Sequence, residues 1–196
     1  RVVIHQTSSA LLPYTKYFAN LIVSDAALVT GELPASPQEV FGLLRPCGGV
    51  VALGLPTGKG NSQRLREWGE AAIPGWKVNK TDGVLWGLAQ RAGLEGAGEW
   101  THTYAEPGNS ACSNDELVKG DTAIQWFGAP GPERMIDRHH RNVPPLFKDG
   151  QLFVPGDCIV FAVDAYNGTI QWQIEIPNSR RLAVFLDSGS MAVDDR

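Results

Sequence analysis

Residues 162–172, Ala-Val-Asp-Ala-Tyr-Asn-Gly-Thr-Ile-Gln-Trp, decide how the second half of this chain is read. A short apolar run leads into a polar turn carrying Asn167-Gly168, and an alternating run follows and ends on Trp172. An Asn-Gly pair between two strand-like runs predicts a tight hairpin, because both central residues of a type I′ turn take positive φ. Just upstream, Gln151-Leu152-Phe153-Val154 follows a turn signal of its own, Asp149-Gly150. Three strands joined by short turns predict a β-meander.

The chain has 196 residues, room for one ordinary domain or two small ones. Hydrophobic residues make up 43% and charged residues 19%, which fits a protein with a real core. With 22 glycines and 13 prolines, turns are favoured over long helices. A net charge of -4 offers no basic field for nucleic acid or an anionic membrane, so neither is an expected partner. Cys47, Cys112 and Cys158 are too far apart for metal-ligand spacing or a disulfide framework; small buried hydrophobes are the first reading, with a Cys112–Cys158 bridge left open. No stretch is apolar for long enough to span a bilayer as a helix. Arg1 leads straight into an apolar run and Asp194-Asp195-Arg196 directly follows one, so the expectation is a segment of a longer protein.

Residues 1–5 read as a short buried strand, and residues 17–24 as a strand covered on both faces. Ser36-Pro37-Gln38-Glu39 has the chemistry of a helix start: a Ser cap, Pro at the first helical position, and early acid. That helix ends at Arg45-Pro46, and Gly48-Gly49 turn the chain into Val50-Val51-Ala52-Leu53, a buried strand. Strand, helix and strand at this spacing predict a βαβ unit with a right-handed crossover. A further helix is expected over residues 62–72, with Leu65 and Trp68 inward. Residues 76–80 and 83–91 alternate as two strands around the turn Thr81-Asp82-Gly83.

An α/β sheet that closes with an antiparallel hairpin resembles the C-terminal half of class I, Rossmann-like methyltransferases. That family has a helix ending in L-(K/R)-P-G-G before a strand, and Leu44-Arg45-Pro46-Cys47-Gly48-Gly49 precedes Val50 here. Residues 17–25 are similar to its preceding strand, with Asn20 where Asp is usual. The resemblance implies S-adenosylmethionine as the cofactor of the complete domain. It also implies that Asp25, just after the strand, faces the methyl acceptor, and that His5 and Gln6 lie at the adenine side. The competing reading of Asp25 is a loop carboxylate capping the next turn. The glycine-rich cofactor turn and the ribose-binding acid have no counterpart in residues 1–50, so this segment alone is expected to be inactive.

Residues 93–99 (Gly-Leu-Glu-Gly-Ala-Gly-Glu) read as a linker between a unit at 1–92 and one at 100–196. Beyond it, Trp100, Tyr104 and Asn109-Ser110, followed by a run ending in Trp126, resemble the opening of PQQ-like (pyrroloquinoline-quinone-like) β-propellers. The blade motif is closer still: Pro145 to Val154 around Asp149-Gly150, then Ala162, Asp164, Asn167, Gly168 and Trp172. Asn167 alone departs, standing where Thr is usual. In this reading Ala162 is small where strands pack closely, Asp164 satisfies backbone N–H groups of its turn, and Trp172 offers a flat face for the next blade. Residues 182–186 and 191–193 are expected to be the last strand of this blade and the first of the next.

His139-His140, between Arg138 and Arg141, is the most conspicuous polar cluster. Adjacent histidines on a strand point to opposite sides and do not share an ion, so a structural or surface role is expected and no metal site is assigned. Trp100, Trp126 and Trp172 are read as blade packing rather than a quinone-stacking set. The fold expected is thus α/β, half of a methyltransferase-like sheet, followed by all-β, about one propeller blade. The function expected is a methyltransferase-like and propeller fusion whose propeller is a scaffold for a ligand or protein. The alternatives are a quinoprotein dehydrogenase holding PQQ and Ca²⁺, which one blade does not support, and a non-catalytic structural repeat protein. The implied partners are the upstream half of the sheet and the remaining blades. The propeller favours an extracytoplasmic, periplasmic location, and methyltransferases are usually cytoplasmic.

Overall fold

The computed structural model describes residues 2–6, 13–34, 36–56, 58, 61–128, 131, 134, 142–180 and 191–195. The chain divides into two compact units, Arg1–Ala92 and Gly93–Arg196.

Among the described residues the first unit is a four-stranded mixed sheet with three helices. Its strands are β1 (Leu21–Val23), β2 (Val50–Pro56), β3 (Lys77–Thr81) and β4 (Val84–Gln90), in the order β1-β2-β4-β3. β1 runs parallel to β2, while β4 is antiparallel to both β2 and β3. Helices α1 (Asp25–Val29), α2 (Pro37–Leu43) and α3 (Ser62–Glu70) each begin on a side-chain cap. Ser24 Oγ, Ser36 Oγ and Asn61 Oδ1 accept the N–H groups of Ala27, Glu39 and Arg64, donors that a helix start otherwise leaves unsatisfied. The Asp82-Gly83 turn has both residues at positive φ, as a tight hairpin requires.

Val51, Leu53 and Leu55 alternate along β2 and are fully buried with Leu44 and Leu65, in a core that also holds Trp76. The turn after α2 explains its glycines. Gly48 takes a φ of 122°, and a Cβ on Gly49 would press on the Arg45 backbone. Arg91, at the end of β4, braces the same corner. Its Nη1 donates to the carbonyls of Phe41 (2.6 Å) and Leu44 (3.1 Å) at the C-terminal end of α2. Its guanidinium lies over the rings of Tyr17 and Phe41, 4.6 and 4.3 Å from their centroids.

Two expectations for this unit are corrected. Residues 2–6 form no strand and are exposed, because no neighbouring strand pairs with Val2, Val3 and Ile4 among the described residues. The apolar run at 17–24 yields only three strand residues, and it is not covered on both faces. Leu21 and Val23 are 59% and 64% exposed, since β1 is the outer strand with β2 on one side. Tyr17, at a φ of 65°, interrupts the run before β1 begins.

The second unit carries a purely antiparallel sheet, β5 (Leu146–Lys148), β6 (Gln151–Gly156), β7 (Ile159–Asp164) and β8 (Ile170–Glu175), in chain order. The meander therefore has a fourth strand, placed before the Asp149-Gly150 turn. β7 is covered on both faces: Ile159, Phe161 and Val163 cluster with Val154 on one, and Ala162 is fully buried on the other. Trp100 adds an antiparallel bridge to Phe147 outside β5.

Here too the structure departs from expectation. Asn167-Gly168 does not form a two-residue type I′ turn, for Gly168 has positive φ and Asn167 does not. Asp164 N donates to Thr169 O (2.8 Å) and Gly168 N to Asp164 O (2.8 Å), which closes a four-residue loop with a register shift at Ala162/Val163. The run ending in Trp126 forms no strand over residues 121–128, nor do residues 191–193. Residues 96–99 are not a free linker. Glu116 N donates to Gly96 O, and Glu99 N to Ser113 O, which ties them into the second unit. Residues 182–186 and the cluster Arg138-His139-His140-Arg141 lie outside the described residues.

Candidate functional site

Two places in the chain collect polar groups, one in each unit. In the first unit β1 and β2 run parallel, so Ser24-Asp25 and Pro56 lie at the carboxyl edge, where open α/β sheets bind ligands. Asp25 is exposed in the first turn of α1, and its Oδ1 accepts the N–H of Ala26 at 2.8 Å. One carboxylate oxygen thus accepts an amide of the first turn of α1, whose cap is Ser24. His5 and Gln6 are exposed outside any strand. His5 meets Tyr14 edge-on at 5.6 Å, and Tyr14 stacks on Phe18 at 5.4 Å. Among the described residues no strand includes or pairs with His5 or Gln6.

The blade residues of the second unit act together. Ala162 pairs with Phe153 on one side and Trp172 on the other. With only a methyl between them, the two rings reach across β7 to 5.9 Å. Asp164 is 1% exposed, and its Oδ1 accepts the N–H of Tyr166 at 2.9 Å. Asn167 Oδ1 accepts the N–H of Thr169 at 3.0 Å. Gly168 lies directly beneath the Trp126 ring, whose Nε1 donates to Ala165 O at 2.8 Å. Trp126 and Trp172 thus serve the framework through their rings, as a loop cover and a cross-strand pair, and Trp100 through its main-chain bridge to Phe147.

A third feature had no counterpart in the sequence reading. An open cleft of about 300 Å³ in the second unit is lined by Glu99, Thr101, Glu106, Cys112, Ser113 and Asn114, with backbone between them. Its carboxylates are occupied. The N–H groups of Ser110 and Gly108 donate to Glu106 and hold its carboxyl below the usual glutamate range. Asp115, next in sequence to Asn114 and not part of the lining, accepts the N–H groups of Gly98, Val118 and Leu117 and is lowered for the same reason. Lys148 is raised by its bonds to Asp195 (2.8 Å) and Glu99 (3.2 Å). Of the carboxylates that line the cleft, Glu106 is thus engaged by backbone N–H groups and Glu99 by Lys148. The turn chemistry was available as a signal: Glu106-Pro107-Gly108 and Asn114-Asp115 are both loop formers.

Cys47, Cys112 and Cys158 are free thiols, the latter two exposed. Among the described residues no group of three or more His, Cys, Asp or Glu could hold a metal ion, and no helix is long and apolar enough to cross a membrane. Fold and site together define a two-part chain, an α/β unit followed by an all-antiparallel β unit. No family model matches the chain, and neither a curated protein nor a solved structure matches it.

Proposed function

We propose that this chain is a segment of a two-module protein: the acceptor side of a class I methyltransferase-like domain, followed by the opening blade of a PQQ-like β-propeller. The propeller serves as a scaffold for recognition of a ligand or protein. The observation that carries this reading is the order of the first sheet. β4 lies antiparallel between β2 and β3, so a hairpin closes a parallel sheet from inside rather than at its rim. That arrangement, together with the turn at Pro46–Gly49 leading into β2, supports the resemblance to the methyltransferase family. In the second unit, support comes from the four-stranded meander with Ala162 between two aromatic rings and Asp164 at its loop.

In this reading S-adenosylmethionine is held mainly by residues on strands beyond β1, and Asp25 faces the methyl acceptor. His5 and Gln6 stay in this reading as the adenine-side residues, with His5 edge-on against Tyr14. Calorimetric titration of the 196-residue chain with S-adenosylmethionine is expected to give no micromolar binding. A micromolar signal would overturn the division of the cofactor site. The same titration on the chain extended upstream is expected to bind the cofactor, with Asp25→Ala lowering methyl transfer but not binding. An extended chain that folds and still fails to bind S-adenosylmethionine removes the methyltransferase-like reading.

A further inference from the structure

We propose that Asn167-Gly168 is a deamidation site held shut by the Trp126 indole, so that chemical ageing of the chain reports opening of the β7–β8 loop. The inference is independent of the function proposed above. In the reaction the Gly168 amide nitrogen gives up its proton and attacks the Asn167 side-chain carbonyl carbon. A C–N bond forms, the bond to the side-chain nitrogen breaks, and ammonia leaves a cyclic succinimide. Water then opens the ring at either carbonyl, giving aspartate or isoaspartate. Asn-Gly is the most open dipeptide to this attack, because glycine has no Cβ to hinder its own nitrogen.

The fold opposes each requirement of that step. The attacking nitrogen donates its N–H to Asp164 O at 2.8 Å. The carboxamide under attack is held toward Thr169, whose N–H it accepts at 3.0 Å. The Trp126 ring lies so close over Gly168 that a Cβ there would overlap it, so the peptide cannot swing outward. The ring itself is fastened by Nε1 to Ala165 O (2.8 Å), and Gln125 Nε2 donates to Tyr166 O (3.3 Å) beside it. The sequence feature most prone to reaction is therefore placed under a cover supplied from about 40 residues upstream. Once formed, isoaspartate would lengthen the backbone by one methylene and add a carboxylate close to buried Asp164. The four-residue loop could not close again on that geometry, so the modification records an opening rather than tolerating it.

The test is ageing of the whole folded chain at mildly alkaline pH, with peptide mapping by mass spectrometry of the fragment containing Asn167. The urea-unfolded chain is the reference. Deamidation at Asn167 is expected to be at least about tenfold slower in the folded chain, because reaction requires local opening. Trp126→Ala should bring the folded rate most of the way to the unfolded rate, and Trp126→Phe, which keeps a ring over Gly168, should raise it less. Equal rates in the folded and unfolded wild-type chains would overturn the proposal. So would a folded Trp126→Ala chain that deamidates no faster than wild type. If that variant does not fold, hydrogen exchange decides: the Gly168 amide of the wild-type chain must be protected to a degree matching the slowing of deamidation, and an unprotected amide refutes the lock.

Discussion

The indole of Trp76 sits between two glycines from different elements, Gly69 of α3 and Gly87 of β4, and a Cβ on either would overlap the ring. Its Nε1 donates to Leu65 O at 3.0 Å, so the buried ring keeps its one polar group satisfied. Gly87→Ala is expected to destabilise the first unit by about 1–3 kcal/mol, the usual cost of forcing atoms into a packed core. Gly42→Ala is the contrasting case. It lies in α2 with nothing within 4 Å of the new methyl, so it should stabilise by about 0.5–1 kcal/mol. Native-state hydrogen exchange at β2 and β4 reads both changes, and a Gly87→Ala chain as stable as wild type would refute the packing account. A glycine inside an alternating strand is legible in sequence as a place of close approach. Which group approaches is not, because the ring comes from beyond the hairpin turn and its packing is a tertiary fact.

Whole elements were legible where capping and turn chemistry are local. Ser36-Pro37 marked α2, and Asp82-Gly83 and Asp149-Gly150 marked hairpins whose central residues do take positive φ. Asn167-Gly168 misled, since Asp164 and Trp126 compete for the same loop and favour a longer, bulged closure. In the segment from Gly96 to Val118 the loop-forming residues were legible but the path was not: its order comes from two carboxylates that accept backbone donors across the loop, one of them 17 residues away. Ala105, Asn109, Ala111 and Asn114 all hold positive φ within it, a strained path that those bonds sustain. Glu106 and Asp115 have depressed folded-state pKa values, so their contribution is complete above the ordinary values of 4.5 and 3.8 and is lost as pH falls through the lower folded ones. Amide chemical shifts of Ser110 and Gly98 followed through an acid titration should therefore move with midpoints below 4.5 and 3.8 respectively. Midpoints at or above those values would show that the carboxylates do not hold the loop. Glu106→Gln should abolish the Ser110 transition and leave that of Gly98.

At the scale of the molecule, the division into an α/β unit and an antiparallel unit was readable because hydrophobic period and turn spacing change along the chain. The exposure of its outer strands was not, since an apolar run reads the same whether or not a neighbour is present to cover it. Both sheets end on such a strand. β1 exposes Leu21 and Val23, and β8 alternates Ile170, Trp172 and Ile174 with glutamines and Glu175, continuing to Ile176 just beyond it. β8 has β7 as its one sheet neighbour among the described residues, and Ile174 is 55% exposed. An outer strand with an apolar stripe and few charges is a template for pairing with another chain. The 196-residue chain is therefore expected to self-associate as its concentration rises, in sedimentation velocity, through β8 more than through β1, because β8 is the longer of the two. Ile174→Lys puts a charge in the middle of that stripe without touching the buried residues of β7. It should shift the chain toward monomer while leaving the sheet's circular dichroism unchanged. Leu21→Lys on β1 should do less. If Ile174→Lys associates as strongly as wild type, β8 is not the sticky edge; if the wild-type chain stays monomeric at every concentration reached, the outer strands are covered in solution and the two-edge account fails.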